Sequence, residues 1–256
     1  MTHRQIIREL VACDQAHLAY VLRPAPGPTL TLIPGSFCDS SDWDGVAASL
    51  PDHISEVIIE LRGHGHSWPP PRRGSVEQFA RDVLLVVDHL HIERFFVGGH
   101  SIGGMVALQI AALRPHAVKG VISVEGWTSH RAARDAFGGD MDSTLSPAQR
   151  EWRAACSKSV TANWTKEQVN AFARIWTEWD GYPFLATTDI PILELWGDRG
   201  RPRPALDKLR IPPRPNIQVC WVENASHFLP VERPNEVAAA IADFIRRIEI
   251  AESPSA

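Results

Sequence analysis

The sequence predicts an α/β protein with a mostly parallel β-sheet that helices cover on both faces. Short runs rich in Val, Ile and Leu alternate with longer helical patterns along the 256 residues, as in sheets built from β–α–β units. The length suits one large domain, and 44% hydrophobic with 22% charged residues is ordinary for a globular protein. One long region without a good strand suggests a helical insertion.

The predicted strands are apolar runs that end in turn residues or glycine-rich loops. In chain order we expect them at Gln5–Val11, His17–Leu22, Thr29–Ile33, a run ending near Leu61, Arg94–Val97, a run ending near Val124, Ile192–Trp196 and Ile217–Val222.

The predicted helices begin at residues that are typical of helix N-termini. Ser75 opens the capping-box pattern "SVEQ", and Pro234 stands at the first turn of a closing amphipathic helix. Two further capping boxes, "SPAQ" at Ser146 and "TKEQ" at Thr165, lie in the region without strands. We therefore expect a core domain formed by residues 1–126 and 189–256, with a helical lid over 127–188.

Bulk properties narrow the function classes. The net charge of −4 gives no reason to expect a nucleic-acid partner, and no window approaches the roughly 18 apolar residues of a membrane span. The N-terminus mixes charges into its apolar residues and lacks the apolar core of a signal peptide, which favours a cytoplasmic protein. The four cysteines lack metal-ligand spacing. We expect a small-molecule substrate, no cofactor or metal, and a monomer or homodimer.

The segment "GHSIGG" contains the strongest chemical signal. Gly99, Ser101 and Gly103 match the pattern G-x-S-x-G, between a predicted strand and a predicted helix. Such a serine lies on a strained turn where side chains two residues away would meet backbone, so glycines are required. The N-terminus of the following helix favours a developing oxyanion. Ser101 is therefore the candidate nucleophile.

His227 is the candidate general base. It follows the last strand across a small-residue turn, so it belongs at the same sheet edge as Ser101. With these residues the chain resembles the α/β-hydrolase superfamily over nearly its whole length, in "IPGSFCDSSDW", "LRGHGHS" and "NASHFLPVERP". The resemblance implies that His227 is the catalytic histidine. It also implies an oxyanion hole formed by the backbone N–H groups of Ser36 and Ile102.

The catalytic acid does not stand where the superfamily usually has it. In the superfamily the acid usually follows the strand "PILELWGD" three residues after a glycine, where this chain has Gly200. Glu125, directly after the strand "VISV", is the preferred candidate because an acid in an apolar setting is costly unless it is paired. Haloalkane dehalogenases and cofactor-free quinolone dioxygenases look similar at this position. Asp198 is the alternative.

These residues predict a serine hydrolase that cleaves an ester or a related acyl bond through an acyl-enzyme. Aromatic residues in and around the lid suggest an apolar, even aromatic, substrate. Without a basic cluster there, we do not expect a phosphorylated or strongly anionic one. The predicted substrate-binding residues are Phe37, His100, Trp127, Trp152, Trp176, Trp179 and Phe228.

Two other functions fit the same residues. The alternative is a cofactor-free 2,4-dioxygenase of a 3-hydroxy-4-quinolone-type ring, in which a His–acid pair deprotonates the substrate and the serine is not a nucleophile. The chain shares with those enzymes the elbow "HS", the acid at Glu125 and the Pro-Gly loop. A binding module with an inactive triad is a second alternative. A dehalogenase is disfavoured because its elbow carries a carboxylate and this one carries Ser101.

Overall fold

The fold is seen in a computed structural model, which describes residues 6–13, 16–71 and 74–252. Eight strands form one sheet in the order β1-β2-β4-β3-β5-β6-β7-β8. The strands are β1 (Ile7–Cys13), β2 (Ala16–Arg23), β3 (Thr29–Ile33), β4 (Ser55–Ile59), β5 (Phe95–His100), β6 (Val118–Val124), β7 (Ile192–Gly197) and β8 (Ile217–Val222). Strands β1 and β2 pair antiparallel with their neighbours, and β3 to β8 run parallel.

The helices flank the sheet and fill the connections. They are α1 (Asp44–Ala47), α2 (Val76–His89), α3 (Ile102–Leu113), α4 (His130–Phe137), α5 (Pro147–Thr161), α6 (Lys166–Glu178), α7 (Tyr182–Thr187), α8 (Leu229–Glu232) and α9 (Pro234–Glu252). A 3₁₀ turn, Ser40–Trp43, precedes α1. Helices α2 and α3 bury their apolar side chains against one sheet face, whereas α1 and α9 contribute to the core on the other.

The predicted α/β sheet is confirmed, and its strands differ from the expectation mainly at their ends. Strand β5 continues to His100 because Gly98 and Gly99 still pair with β3 on one side and β6 on the other. Strand β4 ends at Ile59, earlier than expected. The expected start of the first strand at Gln5 lies outside the described residues.

The region between β6 and β7 is helical, as its capping boxes indicate. In α5 the Ser146 hydroxyl accepts from the Gln149 N–H while the Gln149 side chain accepts from the Ser146 N–H. Thr165 and Gln168 form the same reciprocal pair at the start of α6. The division of the chain into a core and a lid domain stays a prediction. Within the described ranges, none of the helices is long and apolar enough to cross a membrane.

Candidate active site

Ser101 lies on a sharp turn between β5 and α3, with backbone angles φ 55° and ψ −121°. Its N–H donates to the Val124 carbonyl across 2.9 Å, which ties the turn to the end of β6. A Cβ on Gly99 would lie 2.0 Å from the Gly103 carbonyl oxygen, and one on Gly103 would lie 2.3 Å from the Ile33 oxygen. Both glycines are therefore required by close backbone approach, as the sequence pattern predicts.

His227 and Glu125 meet at the same edge of the sheet. His227 lies in the loop after β8, and its Nδ1 is 3.3 Å from Glu125 Oε2. Glu125 directly follows β6 at a positive φ of 51°, and its N–H donates to the Leu195 carbonyl in β7. An ionised carboxylate only accepts hydrogen bonds, so Nδ1 carries the proton and Nε2 is left as the basic nitrogen.

Arg199 binds the Glu125 carboxylate from the loop after β7. Its two terminal nitrogens lie 2.6 Å and 2.8 Å from the two carboxylate oxygens, and the Gly197 N–H donates to Oε1 across 2.8 Å. Both side chains are almost fully buried. Burial by itself raises the pKa of Glu125, but the Arg199 charge, its hydrogen bonds and the His227 contact outweigh burial and lower that pKa to about 2. Glu125 is therefore ionised at neutral pH.

The surroundings of His227 keep its imidazole neutral. Burial is the main cause that lowers its pKa, to about 4, while the hydrogen bond and charge of Glu125 oppose this effect. The charges of His100 and Arg199 lower the pKa further. A neutral imidazole whose Nδ1–H is bound by a carboxylate can accept a proton at Nε2, which is the requirement for a general base at neutral pH.

The two candidate acids differ in what they contact. One carboxylate oxygen of Asp198 accepts the N–H groups of Gly200 and Asn224, each at 2.8 Å. Asp198 thereby closes the turn after β7, whereas Glu125 is the acid in contact with His227. The geometry favours Glu125 as the partner of the histidine.

His100 connects three loops behind the site. Its Nδ1 lies 2.8 Å from an Asp42 carboxylate oxygen, and its Nε2 lies 2.8 Å from the His227 carbonyl oxygen. Burial lowers the pKa of His100, but the charge and hydrogen bond of Asp42 dominate and raise it. The same Asp42 oxygen accepts the Gly35 N–H across 3.0 Å. A Cβ on Gly35 would be 2.7 Å from His100 Nδ1, so the loop after β3 packs directly on this histidine.

The two predicted oxyanion donors lie beside Ser101. Ser36 follows Pro34-Gly35 in the loop after β3, and Ile102 is the first residue of α3; both line the same cavity as Ser101. N–H groups in the first turn of a helix have no intrahelical partner and carry the positive end of the helix dipole. The arrangement can therefore present backbone donors to a developing negative charge next to Ser101.

A cavity of about 340 Å³ opens between the sheet edge and the helical insertion. Ser101, His100 and His227 line it, together with most of the predicted aromatic residues: Phe37, Trp127, Trp176 and Phe228. The other two lie elsewhere. Trp152 is half-buried in α5 outside the lining, and the Trp179 Nε1–H donates to Gln109 at 3.1 Å, which docks the end of α6 on α3.

Several residues that line the cavity were not predicted from the sequence. Arg134 from α4 and Arg153 from α5 line it, which corrects the expectation that basic residues are lacking there. The cavity is further lined by Met105, His130, Gly139 and Met141. Arg199 behind Glu125 was also missed, although a basic residue in the loop where the superfamily usually has its acid was a usable signal.

Within the part of the chain that the structure describes, no group of three or more His, Cys, Asp or Glu residues could hold a metal ion.

Comparison with known proteins identifies the fold and related enzymes. A family model described as "alpha/beta hydrolase fold" matches residues 28–146. The solved enol-lactonase from Burkholderia xenovorans superposes with a TM-score of 0.75 at 22% identity, covering 93% of this chain and all of that one. At this identity the likeness shows a shared fold.

Two curated proteins illustrate the sequence similarity. A Haemophilus influenzae protein named as an esterase/lipase is 35% identical over 98 residues, which is 38% of this chain and 34% of that protein. The N-formylmaleamate deformylase of Pseudomonas putida is 23% identical over 257 aligned positions, covering 88% of this chain and 91% of that enzyme. Unlike the deformylase, the first curated relatives match over a short stretch, and the chain spans only about a third of their length.

Proposed function

Because the chain belongs to the α/β-hydrolase superfamily, we propose that it is a serine hydrolase. It cleaves an ester or a related acyl bond of a small substrate with an apolar or aromatic body, through an acyl-enzyme on Ser101. The observation that carries this proposal is the convergence of Ser101 and His227 on one cavity, with His227 bonded on its far side to Glu125. The names of the relatives, esterase/lipase and enol-lactonase, are further support.

In the proposed mechanism the Ser101 hydroxyl attacks the carbonyl carbon and gives its proton to His227 Nε2. The tetrahedral oxyanion accepts hydrogen bonds from the backbone N–H groups of Ile102 and Ser36, each of which is worth on the order of 3 kcal/mol to the transition state. The imidazolium protonates the leaving group, and Glu125 stabilises the imidazolium through Nδ1. Water, deprotonated by His227, then attacks the acyl-enzyme and releases the acid.

A labelling experiment tests the proposal. The protein is incubated with a serine-reactive phosphonate and with short-chain 4-nitrophenyl esters, and the modified residue is identified by mass spectrometry. We expect modification at Ser101 and a burst of nitrophenol equal to the enzyme concentration, both absent in Ser101→Ala. An unlabelled Ser101, with oxygen uptake on a hydroxyquinolone, would instead favour the dioxygenase and reject the hydrolase.

A further inference from the structure

Among the described residues that line the cavity, the charged side chains are two arginines, Arg134 and Arg153. Three other lining residues are histidines, and within the described residues the lining contains no carboxylate. This is the opposite of the chain as a whole, whose net charge is −4. A concave site lined by one sign of charge concentrates ligands of the other sign.

Arg153 lies in the wall of the cavity beside Phe228. Its guanidinium carbon is 4.5 Å from the centre of the Phe228 ring, and that ring is 5.3 Å from the imidazole of His227. Arg153 lines the same cavity as Ser36 and Phe37 of the loop after β3. Arg153 therefore projects from α5 toward the loop after β3, which carries Ser36, and the loop after β8, which carries His227.

The ion pairs between these arginines and the neighbouring carboxylates are long. Arg153 and its neighbour Arg150 approach the same Asp142 oxygen at 3.6 Å and 3.4 Å. Arg134 is 3.4 Å from Asp135, the next residue in the chain. Charge-assisted hydrogen bonds are shorter, about 2.7–2.9 Å, and exposed pairs of this kind contribute little. The guanidinium groups thus retain donors for a ligand.

The buried polar atoms beside the cavity include further unused nitrogens. Trp127 Nε1 and His130 Nδ1 are closed to water, and neither has a hydrogen-bond partner in the described part of the chain. Both residues line the cavity, and their rings pack on Trp176 at 6.2 Å and 5.0 Å. An indole N–H can only donate. Because both nitrogens are buried behind the cavity surface, the charged donors available to a ligand are those of Arg134 and Arg153.

We propose that the substrate of this site is an acyl compound that carries a carboxylate. Arg153 and Arg134 bind the carboxylate. The apolar body of the substrate lies against the aromatic residues of the lining, Trp127, Trp176 and Phe228. This inference rests on the proposed hydrolase function and names its substrate class. The carboxylate lies on the part of the substrate away from Ser101, because the arginines belong to the helical insertion and the serine to the sheet edge.

Two esters that differ in a single group test the inference. 4-Nitrophenyl hexanoate and mono-4-nitrophenyl adipate share a six-carbon acyl chain that ends in a methyl group in one and in a carboxylate in the other. The six-carbon chain also avoids the neighbouring-group attack that hydrolyses shorter half-esters. We expect the wild-type protein to have the higher kcat/KM on the adipate ester. Arg153→Gln and the double variant with Arg134→Gln should lower the adipate-to-hexanoate ratio by about tenfold or more, mainly through KM.

Arg150→Gln is the matched control. Arg150 lies on the same helix and shares Asp142 with Arg153, but it is not part of the cavity lining. A ratio that falls as much in Arg150→Gln as in Arg153→Gln, or that favours hexanoate in the wild type, overturns the carboxylate inference and leaves the hydrolase standing. Turnover of neither ester also overturns it, and phosphonate labelling of Ser101 then decides separately whether the proposed function survives.

Discussion

Replacing Arg199 by Gln should destabilise the protein more than any exposed arginine change does. Arg199 and Glu125 form a buried pair through two short hydrogen bonds, of 2.6 Å and 2.8 Å. Removing one partner of such a pair leaves an uncompensated charge and costs about 3–5 kcal/mol. Burial raises the pKa of Glu125, but the Arg199 charge and the other contacts lower it from 4.5 to about 2 overall, a net stabilisation of the ionised form of about 3 kcal/mol.

The effect should depend on pH in a defined direction. A carboxylate whose folded pKa is lowered stabilises the protein above its unfolded pKa, and this contribution is lost as the pH falls from about 4.5 through about 2. The cost of Arg199→Gln should therefore be full at pH 7 and smaller at pH 4. Urea unfolding of the wild type and the variant at both pH values measures this difference.

Arg201→Gln is the control for this measurement. Arg201 is two residues further along and contacts Asp140 at 2.6 Å, but its side chain is 60% exposed. Its loss should cost at most about 1 kcal/mol. Equal destabilisation by the two variants at pH 7 would refute the reasoning, because it would mean that burial of the Glu125 pair contributes nothing.

Three further predictions concern the proposed catalytic groups and the turn that carries Ser101. Glu125→Gln should lower kcat by about 10³-fold or more, since the histidine loses its anionic partner, whereas Asp198→Asn should change kcat little; the reverse pattern in steady-state kinetics would make Asp198 the acid. Gly103→Ala should destabilise the fold by about 1–3 kcal/mol, because its Cβ would lie 2.3 Å from the Ile33 oxygen; an unchanged Tm would contradict the close approach. The acid limb of kcat/KM should lie near pH 4, because the pKa of His227 is lowered to about 4 and the base works only when neutral; a limb at pH 6.5 or above would show that burial does not control this histidine.

The sheet and the elbow could be predicted because their signals are local. Apolar runs identify strands, and the glycines around Ser101 encode a backbone approach that any chain with this turn must make. Even so, the expected end of β5 was three residues short, because the pairing of Gly98 and Gly99 with neighbouring strands depends on the assembled sheet. The contact of Glu125 with His227 joins residues 102 positions apart, yet the place of Glu125 directly after an apolar strand already favoured it.

The composition of the cavity could not be predicted in the same way. Arg134 and Arg153 lie 19 positions apart in a helical region, and nothing in their spacing shows that both face Ser101. Trp152 and Trp179 looked equivalent to Trp176 in the sequence, but helix orientation sends them to other surroundings. Side-chain direction in the insertion depends on how its helices pack on the core, which a residue pattern does not record.

Because Trp127 contacts His227, the intrinsic fluorescence of the protein should report the protonation state of His227. The two rings lie 5.0 Å apart, and a protonated imidazole quenches the emission of an adjacent indole. Fluorescence that is present in the parent and absent in Trp127→Phe should therefore fall as His227 takes up its proton, without any substrate being present. The same emission should respond when a ligand enters the cavity beside Trp176, so binding and protonation can both be followed by light.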